Sequence, residues 1–521
     1  MRSIIRTFAR PIMAAGALAL GFATVVAAAA PASAAKDVVV ATASTQSNLD
    51  PYDNNGTLDL SVMKSFYQGL YGFDKDMKII PVLAESYTVS ADGLVYTVVL
   101  HKGVKFHDGT DFKADAVKTN FDRVTNPANK LKRYNLFEVI ARTDVVNDYT
   151  VKITLKKPFS AFINTLAHPS AGIISPAALA KYGKDIASNP VGTGPFKFVE
   201  WKQTDYLKVA KNPGYWRKGF PHIDTITFRP VADNNARAAI IQTGEAQFAY
   251  PVPYEQAEIL KARPELEVVS GPGIFARYLA LNTLKKPFDN LKVRQAINYA
   301  IDKNALVKVA FAGYAAPAEG VIPPGVDYHD KTGPWPYDLA KAKALLAEAG
   351  YPNGFDLELW SIYNTTTARK VTEFVQQQLG QVGIRAKITL LETGQRIEKV
   401  ENLQKPEDAG WQAIYMGWSS STGEADWALR PLLASESFPP RLYNLAFYKN
   451  EKVDAGIQHA LAQTDRTAKA ATYRGVQEQI WADAPWAFLV TERTLSVHNR
   501  NLSGFYVQPD GAFNFEDADL K

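Results

Sequence analysis

The sequence predicts an α/β protein built as two lobes around a hinge, and three observations carry that reading. One stretch of the second half alternates helix with strand. DLAKAKALLAEAG (338–350) has alanine and leucine at helical spacing and ends on Gly350, a natural residue for the position after a helix. TARKVTEFVQQQLGQVG (367–383) repeats that grammar and runs into the strand IRAKITLLE (384–392); QRIEKVENLQ (395–404) reads as a further helix before the strand QAIYMGW (412–418). Such alternation needs crossover connections, as in an α/β lobe. The second observation is size, since 521 residues exceed what one hydrophobic core accommodates. The third is a pair of strand-like segments, FARYLALN (275–282) and AFLVTERTLSVHN (487–499), placed to carry the chain between lobes and back. The expected division is residues 35–275 with 495–521 in the first lobe and 276–494 in the second.

The other elements follow in order. Lys36-Asp37 leads into the strand Val38–Val40, and LVYTVVL (94–100) and VKITL (151–155) are strands by their β-branched content. TDFKADAVKTNFDRV (110–124) predicts a helix with Thr110 as its N-cap. ITFRPV (226–231) is strand-like and a helix begins near Asn234. After the turn at Lys286-Pro287, LKVRQAINYAIDKNAL (291–306) predicts one more helix. No internal repeat is visible.

The N-terminus predicts the compartment. Arg2, Arg6 and Arg10 precede an uncharged, alanine-rich stretch from Ile12 to Ala30, and Ala32-Ser33-Ala34 offers the small residues a signal peptidase reads. That is the pattern of a secretory signal over residues 1–34, and its few large apolar residues argue against a retained membrane anchor. Removing three arginines takes the formal charge from +5 to +2, too little for a nucleic-acid binder. Cysteine is absent, which excludes a cysteine-linked lipid anchor, disulfides, thiol catalysis and cysteine–zinc sites. An exported, cysteine-free chain fits the periplasm.

Enzyme signatures fail on inspection. Ser61-Val62-Met63-Lys64 and Lys331-Thr332-Gly333 match two elements of serine β-lactamases, but the third is missing and Pro334 disfavours the edge strand the triplet needs. Gly192-Thr193-Gly194-Pro195 lacks the third glycine of a dinucleotide loop. His101, His107, His222, His329, His459 and His498 have no partner at ligand spacing; His168, in LAHPSAG, is kept as a candidate site residue. No metal and no cofactor is expected.

Several longer stretches carry a resemblance. NLDPYDNNGTLDLSVMKSFYQGL, PVLAESYTVSADGLVYTVVLHKGVKFHDGTDF, PVGTGPFKFVEWKQTDYLKVAKNPGYWR and KPFDNLKVRQAINYAIDKNALVKVAFAGYAAPAEGVIPP resemble the large peptide-binding class of ABC-importer solute-binding proteins, the peptide- and nickel-type family 5. The resemblance spans nearly the whole mature chain. It implies a periplasmic-binding-protein (venus-flytrap) fold with a bipartite first lobe. Members bind dipeptides, oligopeptides, nickel complexes, haem or glutathione. LKRYNLFEVIA, RPVADNNARAAIIQTGEAQFAYPVPYEQA and GWSSSTGEADWAL bring this chain nearest to the glutathione-binding members. That implies glutathione as ligand, an inner-membrane permease with its ATPase subunits as partners, and a monomer. A dipeptide or oligopeptide receptor is the alternative.

The resemblance also implies site residues. In dipeptide-binding members the tryptophan of a Gly-Trp pair lines the cleft, and an aspartate three residues beyond holds the peptide ammonium. Here those positions are Trp418 and Ser421, so a relocated acid, Glu424 or Asp426, is expected to take the ammonium of the γ-linked glutamate. The rival reading has Asp426 capping the helix WALRPLL and Glu424 in solvent. Asn54, Asn55 and Gly56 fall where relatives present groups to the ligand, and a turn there exposes N–H groups. Arg133 beside Tyr134 and Arg277 beside Tyr278 are the expected carboxylate anchors. Their rivals are a solvated basic face with Lys130 and Lys132, and a structural ion pair. The dipeptide members' carboxylate-binding arginine has no counterpart in SIYNTTTARK (361–370).

Overall fold

The computed structural model describes residues 35–521; the secretory signal read over 1–34 lies outside the described residues. Two long strands, Leu266–Leu281 and Trp486–Asn499, run antiparallel through the centre of an eleven-stranded sheet. On one side of them lie Ala413–Ser419, Asp356–Ser361 and Arg385–Leu390, with the last two parallel to each other. On the other side lie Phe248–Tyr250, Asp37–Thr42, Thr225–Pro230, Tyr206–Lys211 and Phe196–Lys202, with Asp37–Thr42 parallel to both its neighbours. The half with Ala413–Ser419, Asp356–Ser361 and Arg385–Leu390 is thus the α/β arrangement read from the helix–strand alternation.

The long pair holds both halves together. Residues 266–271 of the first strand pair with 494–499 beside Phe248–Tyr250, whereas 275–281 pair with Ala413–Ser419. Pairing between the long strands lapses between Gly271 and Phe275. A Cβ at Gly273 would stand 2.0 Å from the Glu492 carbonyl oxygen, so only glycine lets the crossing strands approach there. A separate antiparallel sheet of four strands (Ala84–Val89, Val95–Leu100, Thr150–Leu155, Ile140–Asn147) packs against the helix Ala114–Thr125 and makes the first part bipartite.

Three expectations are corrected. The helix expected over 110–124 starts at Ala114, because the Thr110 amide and hydroxyl are both spent on Asp108 Oδ1 in a turn (3.0 and 2.6 Å). The helix expected over 291–306 is two, Leu291–Ala300 and Lys303–Phe311, since Asp302 accepts from the Ala305 N–H at 3.0 Å and restarts the chain. The helix expected over 395–404 is one α turn, Thr393–Arg396, followed by a π turn, Ile397–Glu401. Within these two turns only Val400 is buried, so no apolar stripe enforces regular geometry.

The glycines of Gly192-Thr193-Gly194 have a packing role. Cβ atoms on Gly192 and Gly194 would lie 2.2 Å from the Phe66 and 2.5 Å from the Ser65 carbonyl oxygens. Backbone therefore rests on backbone just beyond the helix Thr57–Met63, fixing the turn that carries Lys64. Among the described residues no helix is long and apolar enough to cross a membrane.

Candidate ligand-binding cleft

The strand Ala413–Ser419 ends at the Gly417-Trp418 pair, and the chain then turns through Gly423 (φ +68°) into the helix Ala425–Leu433. Trp418 is half-buried; its indole N–H donates to the Trp427 carbonyl at 2.6 Å, and its ring lies 5.4 Å from that of Tyr443. Beyond it, Ser421 Oγ meets His168 Nε2 at 2.9 Å. The other ring nitrogen of His168 accepts the Ser170 N–H at 3.1 Å, which leaves the hydrogen on Nε2 to be donated to the serine. Burial, together with the positive charges of Arg133 and Lys64, pulls the His168 pKa well below the usual value, so the ring is neutral.

Arg133 is buried while Lys130 and Lys132 beside it are exposed, so it does not belong to a solvated basic face. Its Nε donates to the Asn54 carbonyl at 2.8 Å, and among the described residues no carboxylate comes within ion-pair distance. Burial lowers its pKa to about 10, which leaves it charged at neutral pH. Asn54 is enclosed and organises the loop: its Oδ1 accepts the Gly56 N–H (2.7 Å) and its Nδ2 donates to Asp59 (2.7 Å). The Gly56 amide is therefore not free, contrary to expectation. Asn55 is exposed and reaches the Tyr443 hydroxyl (3.4 Å), and Tyr134 opens the short helix Tyr134–Phe137.

Segment 54–168 and segment 421–443 meet along one rim. Besides Asn55–Tyr443 and His168–Ser421, Asn164 donates to the Thr422 carbonyl (2.9 Å), Asn135 to the Arg441 carbonyl (2.7 Å), and Arg441 pairs with Glu138 (3.2 Å). The cleft is closed along this rim.

The strand register separates two of the expected anchors. Arg277 stands opposite Gly417 and Ala276 opposite Trp418, so Arg277 and Trp418 project from opposite faces of the sheet. Arg277 pairs with Glu492 (2.7 Å) and lies over the rings of Phe275 and Tyr363 (4.3 and 4.8 Å), with its Nη1 lacking a hydrogen-bond partner. Tyr278 turns the other way and stacks on Trp486 in the core, ring centroids 3.7 Å apart. A Cβ on Gly417 would fall 2.5 Å from Phe275 and 2.6 Å from Arg277 Nη1. Gly417→Ala is expected to lose about 1–3 kcal/mol of stability in urea unfolding through this overpacking; an unchanged midpoint would refute the steric reading.

The two acids of the Gly-Trp segment have internal partners. Glu424, not Asp426, caps the helix, accepting the Asp426 N–H at 2.5 Å, and it is buried rather than solvated. Its carboxylate pairs with buried Lys469 at 2.6 Å. Asp426 takes both arms of Arg430 at 2.8 Å. The structure thus gathers Asn54, Arg133, His168, Trp418 and Ser421 around one cleft and gives Glu424, Asp426 and Arg277 partners of their own.

Sequence reasoning passed over Tyr443, Lys64 and Asp510, which also border this region; Lys64 registered only as part of a chance Ser-x-x-Lys match. A surface depression of about 340 Å³ lined by Arg294, Tyr448, Asn450 and Asp483 shares no residue with the cleft, and its polar groups bond one another. No group of three metal-ligating side chains occurs among the described residues.

Residues 78–439 match the bacterial extracellular solute-binding proteins, family 5 (middle). The chain belongs to this family. It is 59% identical over 492 residues to the glutathione-binding protein GsiB of Pectobacterium atrosepticum, covering 94% of this chain and 96% of that one. It is 57% identical over 513 residues to GsiB of Escherichia coli K12, covering 98% and 100%. Among solved structures, the Helicobacter pylori periplasmic binding protein DppA with the peptide STSA superposes with a TM-score of 0.82 at 29% identity, covering 93% of this chain and 98% of that chain. The dipeptide-binding protein of a Pseudoalteromonas with Met-Leu gives 0.83 at 25%, covering 93% and 100%. The family 5 chain therefore has the expected two-lobed flytrap fold, and its family is one of solute receptors.

Proposed function

We propose that this family 5 chain is a periplasmic receptor that captures glutathione and hands it, chemically unchanged, to the permease and ATPase subunits of an inner-membrane ABC importer. The observation that carries this reading is Arg133: a buried, charged guanidinium with no carboxylate in ion-pair range among the described residues, close to His168, which bonds Ser421, and to Tyr443, whose ring lies beside Trp418. An unpaired buried cation is costly in an empty cleft and favourable once a ligand carboxylate arrives. Glutathione brings two carboxylates and one ammonium. Ser421, where dipeptide-binding members are expected to carry an acid, argues against a standard peptide N-terminus. The names of the relatives at 57–59% identity support the same ligand.

The receptor works as a monomer with lobes 35–275 plus 495–521 and 276–494. A ligand touching Arg133 on one lobe and Trp418 and Ser421 on the other interacts more strongly with the closed form, and this differential affinity shifts the lobe equilibrium. Titration calorimetry on refolded mature protein, freed of carried-over ligand, is expected to give micromolar or tighter binding of glutathione, about −8 kcal/mol or better, and no heat from a dipeptide pool. The reverse pattern would favour the peptide-receptor reading, to which the peptide-bound structural neighbours lend support.

A further inference from the structure

The glutathione reading leaves the ligand's ammonium without a protein acid. The acids nearest the Gly-Trp segment and the long strands are engaged: Glu424 with Lys469, Asp426 with Arg430, Glu492 with Arg277. Asp59 Oδ2 takes hydrogen bonds from Asn54 and Ser47. Asp510 differs. It is 4% exposed, and its carboxylate accepts only the Ala512 N–H of its own turn (2.8 Å), with no cation in ion-pair range among the described residues.

Lys64 complements it. Its ammonium donates to Gln508 Oε1, and the Gln508 amide is itself fixed on the Phe73 and Asp74 carbonyls at 2.9 Å each. One of three ammonium donors is thereby used. Each of Lys64 and Asp510 lies in the other's field: burial brings the lysine's pKa down to about 8 and pushes the aspartate's up, and each charge partly offsets the other's shift. Yet they do not close into an ion pair. Gln508, two residues before Asp510, ties the ammonium to the aspartate's own segment, so two opposite charges, neither in a salt bridge among the described residues, form the inverse of an α-amino-acid head, one carbon bearing both ammonium and carboxylate.

Both border the cleft already described. Ser419, next to Trp418, reaches the Asp510 carbonyl (3.4 Å), and Lys64 stands close enough to His168 to help hold that ring neutral.

We propose that Asp510 and Lys64 form a two-point receptor for the γ-glutamyl head of the ligand, Asp510 taking the ammonium and Lys64 the α-carboxylate on the same carbon, while Arg133 takes the glycyl carboxylate. This rests on the glutathione reading and adds to it a specificity for γ-linked peptides. Two cations and one anion match two carboxylates and one ammonium. An α-linked peptide with its free ammonium at one end and its terminal carboxylate at the other cannot fill neighbouring opposite-sign subsites with one carbon.

The test is calorimetry with glutathione, its α-linked isomer α-Glu-Cys-Gly, and glutaryl-Cys-Gly, which keeps the carboxylate but lacks the ammonium. The proteins are the refolded wild type, Asp510→Asn and Lys64→Met, each checked for a cooperative melt. Wild type is expected to prefer glutathione over both other ligands by about 30-fold or more. Asp510→Asn is expected to weaken glutathione by a similar factor and to leave glutaryl-Cys-Gly within about threefold, because the partner it loses is absent from that ligand. Lys64→Met is expected to weaken both γ-linked ligands alike. Retention of glutathione by Asp510→Asn within about threefold of wild type, or equal losses for both γ-linked ligands, would overturn the assignment while leaving the glutathione reading intact. Should the variants fail to fold, wild type alone decides: equal affinity for glutathione and glutaryl-Cys-Gly overturns it. Wild type that binds no γ-glutamyl peptide overturns both.

Discussion

Arg133→Met is expected to raise the Kd for glutathione by about 100-fold or more while changing the unfolding free energy little. The guanidinium is buried with no acid in ion-pair range among the described residues, held at Nε by the Asn54 carbonyl with its remaining donors uncommitted to any described side chain. A carboxylate arriving there gains charge-assisted hydrogen bonds in a site already desolvated, where such bonds are strongest. Losing one partner of such a pair leaves the ligand carboxylate buried and unpaired, which is why the penalty exceeds that of a surface contact. Stability has two opposing terms. The Asn54 carbonyl loses a donor, worth about 1 kcal/mol, but a buried uncompensated charge is also removed, and methionine fills much of the same space. Arg133→Lys is not a rescue, since an ammonium cannot hold Asn54 and present a planar fork at once. Calorimetry paired with urea unfolding separates the outcomes. Near-normal binding by a folded Arg133→Met protein would remove the main support for the anion-binding role.

The sequence made some of this legible and hid the rest for physical reasons. The α/β alternation over 338–418 and the two crossing strands were visible because amphipathic period and turn residues are local signals; most of these elements lie within a few residues of expectation, but the first crossing strand begins at Leu266 rather than Phe275, and the helix expected over 395–404 is the α and π turns described above. The break at Asp302 was not, because Leu291 to Leu306 keeps helical spacing across it and only the Ala305 N–H bond shows the restart. In the cleft, Trp418 and Ser421 were visible through a local motif. Lys64 and Asp510 were not: Lys64 and the Gln508 that holds it stand 444 positions apart, and nothing in either segment signals the other. Arg277 and Trp418 were both expected at the site, and the strand register places them on opposite faces of the sheet, a relation that one residue of slip would reverse. Arg133 and its flanking lysines form one basic run in sequence, and only burial singles it out.

Lys469→Met tests the other large effect, on stability rather than binding. Lys469 and Glu424 have side chains 4% and 2% exposed, and their ion pair ties the helix Arg466–Asp483 to the cap of Ala425–Leu433. Methionine keeps the packing over the Tyr328 and Tyr473 rings that the lysine now provides, so the change isolates the charge. Removing one member of a buried pair is expected to cost about 3–5 kcal/mol, since the carboxylate left behind must stay charged without a partner or take up a proton. The pH dependence has a definite sign. Burial already pushes the Glu424 pKa above its ordinary value, against the pull of Lys469, and without the lysine it rises further. A carboxyl whose folded pKa exceeds its unfolded one favours the folded state at low pH and loses that contribution as pH rises through the folded value. The deficit of Lys469→Met relative to wild type should therefore be smaller at pH 5 than at pH 7. Adding Glu424→Gln should restore much of the loss, because removing both charges leaves no buried orphan. Glutathione affinity decides between the two roles this acid was given. If Glu424 serves as cap and ion-pair partner, the double variant binds glutathione as wild type does; if it holds the ligand's ammonium, the double variant is stable and loses the ligand.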